Sequence, residues 1–176
     1  SNSIKINYNK GNKMQKIIVL FMVISIVFPS VYNTGDQIST AHQNVEFPVC
    51  FGDFGDNNLK LADLNGELNG GYYHVLYIDM AASWWSPCYS EIPSVDALID
   101  NWSDEEEVFG FVALADIGQP YSCAQWGNNG ISGFPLITND GNGWGNHMWN
   151  WFNSNSAFPS NVWIDHTMTV YYKGNN

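Results

Sequence analysis

Arginine is absent from this 176-residue chain, and only two lysines, Lys60 and Lys173, follow residue 35, where all 17 acidic residues lie. A surface of that sign repels phosphate backbones and anionic headgroups, which excludes nucleic acid as a partner. Long apolar runs are missing too. The longest, Ile17 to Phe28, spans 12 residues, short of the roughly 20 that a membrane span needs. Cysteine is scarce: Cys50, Cys88 and Cys123 are an odd set that cannot all pair within one chain. The four histidines (His42, His74, His147, His166) fall singly, without the spacing of a metal cluster, so no metal site and no cofactor are expected.

What is present begins with a basic stretch, Lys13-Met14-Gln15-Lys16, the apolar run, and a polar exit at Pro29 to Asn33. That order is the layout of a secretory signal peptide or an uncleaved signal-anchor. Residues 1–35 are therefore read as upstream residues plus an export segment, 36–44 as a polar linker, and 45–176 as one domain. Membrane contact is expected only through the N-terminal segment. Export would set the domain in an extracytoplasmic, oxidising compartment where disulfides persist. The hydrophobic content of 45%, with 15% aromatic, is enough for a sizeable core.

Along the domain, Val45 to Phe51 reads as a first strand and Leu59 to Gly66 alternates towards a second, with turn material at Gly52 to Asn58 between them. The aspartates of that turn lack the glutamate that would complete a calcium loop. Two apolar runs, Tyr72 to Met80 and Val108 to Ala115, flank a helix predicted from Pro87 to about Trp102, the pattern of a parallel βαβ unit. A short helix is expected within 120–128, an extended piece at Phe134 to Thr138, a loop at Asn139 to Gly143 and a helix at His147 to Phe152, its tryptophans packing rather than binding. Two strands around a His166-Thr167 turn close the chain as a hairpin.

Between the first apolar run and the helix lies Ala82-Ser83-Trp84-Trp85-Ser86-Pro87-Cys88-Tyr89-Ser90-Glu91-Ile92-Pro93, which resembles the "AsWCgPCraEmP" motif of thioredoxin-like proteins of the TlpA or redoxin type. Leu59 to Gly66 resembles that family's "vsLsdLkG" segment, Phe134 to Asp140 its "fPvl.D" segment, and Ala157 to Asp165 its "gvPttflID" segment, all in family order. The resemblance covers Val45 to Gly174. It implies an α/β thioredoxin fold: a central mixed sheet flanked by helices, with an N-terminal β-hairpin extension. It further implies that Pro159 is a cis-proline beside the active-site turn. The family's C-terminal helix has no counterpart here, since the sequence ends just after the hairpin, as a truncated fragment would.

The family's chemistry is thiol-disulfide exchange, which needs two sulfurs: an exposed attacking thiolate at the helix N-terminus and a resolving thiol one turn later. The motif here is Trp84-Trp85-Ser86-Pro87-Cys88, with Trp85 at the first cysteine position. The expected activity is therefore at most monothiol exchange at Cys88, with Asp79 and Pro159 as catalytic candidates. Asp79 lies six residues before Trp85, where thioredoxin carries a buried aspartate that deprotonates the resolving thiol; the same residue also reads as an ordinary strand aspartate. Cys88 itself stays open among a reactive thiol, a disulfide with Cys50 or Cys123, and a buried small hydrophobe. A structural Cys50–Cys123 disulfide is equally open. The competing function is a redox-inactive module holding an extended peptide in the groove between Trp84-Trp85 and Pro159, with Phe158 and Trp85 as binding residues. A peroxidase fits less well: Cys88 and Glu91 have the spacing, but Trp85 replaces the threonine such enzymes use and arginine is absent. Expected partners are protein thiols or disulfides, or an extended peptide.

Overall fold

The structure is a computed structural model, and it describes residues 32–55, 57–130, 136–142 and 147–175. The export segment, Asp56 of the first turn, and Phe134-Pro135 lie outside the described residues. The elements in chain order are α1 (Thr40–Gln43), β1 (Phe47–Gly52), β2 (Asn58–Leu59), a 3-10 turn (Leu61–Leu64), α2 (Gly66–Asn69), β3 (Val75–Ala82), α3 (Ser86–Asp100), β4 (Val108–Ala115), α4 (Cys123–Gly127), β5 (Leu136–Gly141), α5 (Met148–Phe152), β6 (Ser160–Ile164) and β7 (Val170–Gly174). The strands form one mixed sheet in the order β2-β1-β5-β4-β3-β6-β7. β3 lies parallel to β4, and β4 to β5; β1 with β2 and β6 with β7 are the two antiparallel hairpins.

β3 is central because every residue after Val75 is buried, the signature of a strand covered on both faces. Alternation sends Leu76, Ile78 and Met80 to one face and Tyr77, Asp79 and Ala81 to the other. On the first face they meet Ile38, Leu61, Leu64, Trp151 and Phe152. On the second, Tyr77 and Ala81 meet α3 and α4 through Cys88, Ile92, Val95 and Trp126. The buried stripe of α3, Cys88, Ile92, Val95 and Asp96, has the spacing of one helical face. Gly110 of β4 lets that helix approach, since a Cβ there would sit 2.8 Å from the Ile99 side chain.

Three readings need correction. The linker at 36–44 is packed against the domain: Ile38 N–H donates to Met168 O (2.8 Å), and buried Gln43 donates to Ile38 O (2.7 Å) while accepting from Asn65 (2.7 Å). Its polar composition conceals this because hydrogen bonds, the Ile38 side chain and the His42 ring, stacked on Trp151 at 4.3 Å, do the anchoring. Of Leu59 to Gly66 only Leu59 is strand, as the second residue of β2; the 3-10 turn follows and Gly66 opens α2. The loop expected from Asn139 is strand as far as Gly141, because pairing with β4 satisfies the backbone of residues that look like turn formers. Among the described residues no helix is long and apolar enough to cross a membrane, and no group of side chains could hold a metal ion.

Candidate functional site

Parallel pairing aligns Ala82 with Ala115 at the carboxyl ends of β3 and β4. The residues that follow each strand therefore meet. Ser83 is fully buried; its hydroxyl donates to Asp116 O and accepts from Gln119 N–H (3.2 Å). Trp84 Nε1 donates to Asp116 Oδ2 at 2.8 Å. Asp116 holds φ +56, a left-handed conformation that aspartate tolerates better than most residues. Antiparallel pairing of Met80 with Ser160 brings the start of β6 to the same edge, where the Phe158–Pro159 bond is cis.

The turn then displays its aromatic rings. Trp84 and Trp85 are 50% and 41% exposed. Trp84 lies edge-on to Phe158 (centroids 6.0 Å) and to Trp85 (5.8 Å), and Phe158 stacks on Trp149 of α5 at 4.8 Å. Trp149 is held there by Asp140, whose carboxylate accepts the N–H groups of Met148 (2.6 Å) and Trp149 (3.1 Å). Burial pushes the Asp140 carboxyl up to about 7, partly offset by those two N–H donors. Together Trp84, Asp116, His147, Trp149 and Phe158 line a cleft of about 340 Å³.

Behind the rings lies a buried thiol. Trp85 occupies the N-cap position of α3, Pro87 lies in its first turn, and Cys88 beneath them is 3% exposed. Burial pushes the Cys88 thiol up to about 12, and the negative charges of Asp79 and Glu91 act the same way; backbone hydrogen bonding pulls it down only in part. Asp79, on the same sheet face, is raised by burial and then by Glu91 to about 7, and its Oδ1 has no hydrogen-bond partner among the described residues. Cys50 and Cys123 form a disulfide with Cα atoms 6.1 Å apart, tying β1 to α4, and Cys88 is the free cysteine. The start of α3 is in turn clamped to this region by Tyr89, which stacks on Tyr121 just before α4 at 4.0 Å and lies edge-on to Trp126 of α4 at 5.4 Å.

The structure thus brings Trp84, Trp85, Ser86, Pro87, Cys88, Phe158 and Pro159 to one edge, with Asp79 in the sheet behind. Ser83, Asp116, His147 and Trp149 were not among the residues chosen from sequence. For Ser83 and Asp116 the signal was available: two adjacent parallel strands must present their following residues side by side, where open sheets carry their sites. For Trp149 and His147 no local signal exists, since only the tertiary fold carries α5 to this edge.

No protein-family model matches the chain, and no curated protein matches it. Solved structures do. The chain is similar to a candidate thiol:disulfide interchange protein DsbE from Chlorobium tepidum, at 15% identity and TM-score 0.56 over 82% of this chain and 86% of that one. It is also similar to the exposed lipoprotein thioredoxin Etrx1 from Streptococcus pneumoniae (18%, TM-score 0.50, covering 75% and 88%) and to Peroxiredoxin Q of Xanthomonas campestris (13%, TM-score 0.53, covering 81% and 86%). The fold is therefore thioredoxin-like, as the motif order implied.

Proposed function

We propose that this thioredoxin-fold protein is an extracytoplasmic binding module that holds an extended segment of a partner protein in the groove between Trp84-Trp85 and Pro159, without a redox cycle at that turn. One observation carries the reading: the position of an attacking thiol is occupied by an exposed Trp85, while the remaining thiol, Cys88, is buried with its proton held up to about 12. Two-step disulfide exchange needs an accessible thiolate to begin, and a thiol of that kind supplies almost none at neutral pH. Two neighbouring indoles left in water are instead the material of a contact surface, apolar in body and cheap to order. The structural Cys50–Cys123 disulfide supports an oxidising compartment, as does the likeness to an exposed lipoprotein.

A second reading is monothiol exchange, in which Asp79 accepts the Cys88 proton and the thiolate attacks a disulfide of a partner, breaking that S–S bond to form a mixed disulfide and releasing the partner's other sulfur as a thiolate that takes up a proton. It draws on Asp79's charge being felt at Cys88. The two readings separate in one experiment: binding of an unfolded model protein, by calorimetry, to the wild type, C88S and W84A/W85A. The binding module predicts that C88S binds as the wild type does and that W84A/W85A loses at least about tenfold. Loss of binding in C88S, or a mixed disulfide trapped by the wild type alone, favours exchange.

A further inference from the structure

The cleft beside the cis-proline has a chemical character of its own. Three aromatic side chains form its walls, and both indole N–H groups there are already bonded: Trp84 to Asp116 (2.8 Å) and Trp149 to Ala157 O (3.1 Å). What the indoles offer an occupant is therefore π surface rather than hydrogen-bond donors. Among the described residues the ionisable groups lining the cleft are Asp116 and His147, and no lysine lines it. The two lysines of the domain are committed elsewhere, Lys60 to Glu46 (3.1 Å) and Lys173 to Tyr32 O (2.7 Å). A neutral apolar side chain seated here would strip water from the Asp116 carboxylate and add nothing to the Trp84 hydrogen bond it already accepts, which costs free energy. A cation on the ring faces beside that carboxylate would be compensated twice.

We infer that this cleft is a subsite for an arginine side chain of the bound segment, with Trp84, Trp149 and Phe158 cradling the guanidinium and Asp116 neutralising it. Arginine fits better than lysine because its planar, weakly hydrated head stacks on aromatic faces and pairs with a carboxylate in a fixed geometry. The domain's 17 acidic residues against two lysines favour the approach of a basic segment over a neutral one. The volume of about 340 Å³ admits the side chain and part of its flanking backbone. This inference rests on the peptide-binding reading above and names what that surface selects.

The test uses the full chain and pentapeptides acetyl-Ala-Ala-Xaa-Ala-Ala-amide, with Xaa as arginine, citrulline, lysine or leucine, together with arginine amide alone, titrated by calorimetry and by the indole N–H resonances. Citrulline keeps arginine's shape and removes its charge. The expected order is arginine first, at least about tenfold tighter than citrulline, with that advantage shrinking between about 50 and 500 mM salt. In D116N, which keeps a carbonyl acceptor for Trp84 and tolerates the left-handed φ, the advantage of arginine over citrulline should disappear. Equal binding of arginine and citrulline, or leucine binding tightest, overturns the cationic subsite and leaves the peptide-binding reading standing. Arginine amide binding where no pentapeptide does sustains the subsite and sinks the peptide reading. No binding by any probe sinks both. If D116N fails to fold, the wild-type comparison of arginine with citrulline still decides.

Discussion

The indole N–H of Trp84 donates to the carboxylate of Asp116 across 2.8 Å, linking the turn after β3 to the turn after β4. That bond fixes one wall of the aromatic cleft and explains why an acidic residue stands in a left-handed backbone position at φ +56. Its partner below, Ser83, pins the same loop through its hydroxyl. The edge where thioredoxin-like proteins present a reactive cysteine is here braced to present rings.

Removing that brace has an ordered cost. Asp116→Ala should destabilise the fold by ~1–2 kcal/mol, from the lost hydrogen bond and the poorer fit of alanine to positive φ. Asp116→Asn, which keeps both features, should cost less than half of that. Urea unfolding of the two variants checks the order; equal costs would show that neither the Trp84 contact nor the fit to the left-handed backbone contributes.

The Cys50–Cys123 disulfide joins residues 73 apart in sequence, so its removal frees a long loop in the unfolded chain. The double variant C50S/C123S is expected to lose ~2–5 kcal/mol by chemical denaturation. Reducing agent should produce the same loss in the wild type and none in the variant.

Stability should also depend on pH in a definite sense. Asp79 and Asp140 are both raised by burial from 3.8 to about 7, so the folded state binds their protons more tightly than the unfolded state does. Their contribution is whole below the ordinary carboxylate value, declines as pH rises from about 4, and is gone once pH passes about 7. Asp79→Asn removes one such group; it should flatten the decline and be more stable than the wild type at pH 8. A decline of unchanged steepness in the variant would assign the effect to other groups.

Trp85→Cys tests whether only the first sulfur is missing. A thiol at that position sits at the N-terminus of α3, where the helix dipole favours a thiolate, with Cys88 one turn behind and Asp79 beneath. The variant should reduce insulin disulfides while the wild type and W85C/C88S do not. A folded but inactive W85C would mean that the surroundings of the turn have also changed.

Much of this architecture was legible in advance because it rests on strong local patterns. Two largely apolar runs about a helix identify β3, α3 and β4, and the Trp-Trp-Ser-Pro-Cys turn between them locates the site. The hairpin at His166-Thr167 announced itself by its turn. What stayed hidden depends on tertiary partners. Gln43 and Ile38 look like linker until Asn65 and Met168 are brought to them. Asp140 looks like loop until β4 pairs beside it and α5 starts on its carboxylate. Which cysteines pair was open in sequence, because only the packing of α4 against β1 sets Cys123 beside Cys50. The cleft combines Trp84, Asp116 and Trp149, the first and last 65 apart in sequence, and no spacing rule connects them.

The central claim is that the turn binds through its rings while its one free thiol is out of play. Alkylation of the native, non-reduced protein, followed by peptide mapping by mass spectrometry, tests it most directly. Cys88 should remain unmodified at neutral pH until the protein is unfolded, with Cys50 and Cys123 recovered as a linked pair. Rapid native labelling of Cys88, at the rate of an exposed thiol, would contradict it and return the turn to thiol chemistry.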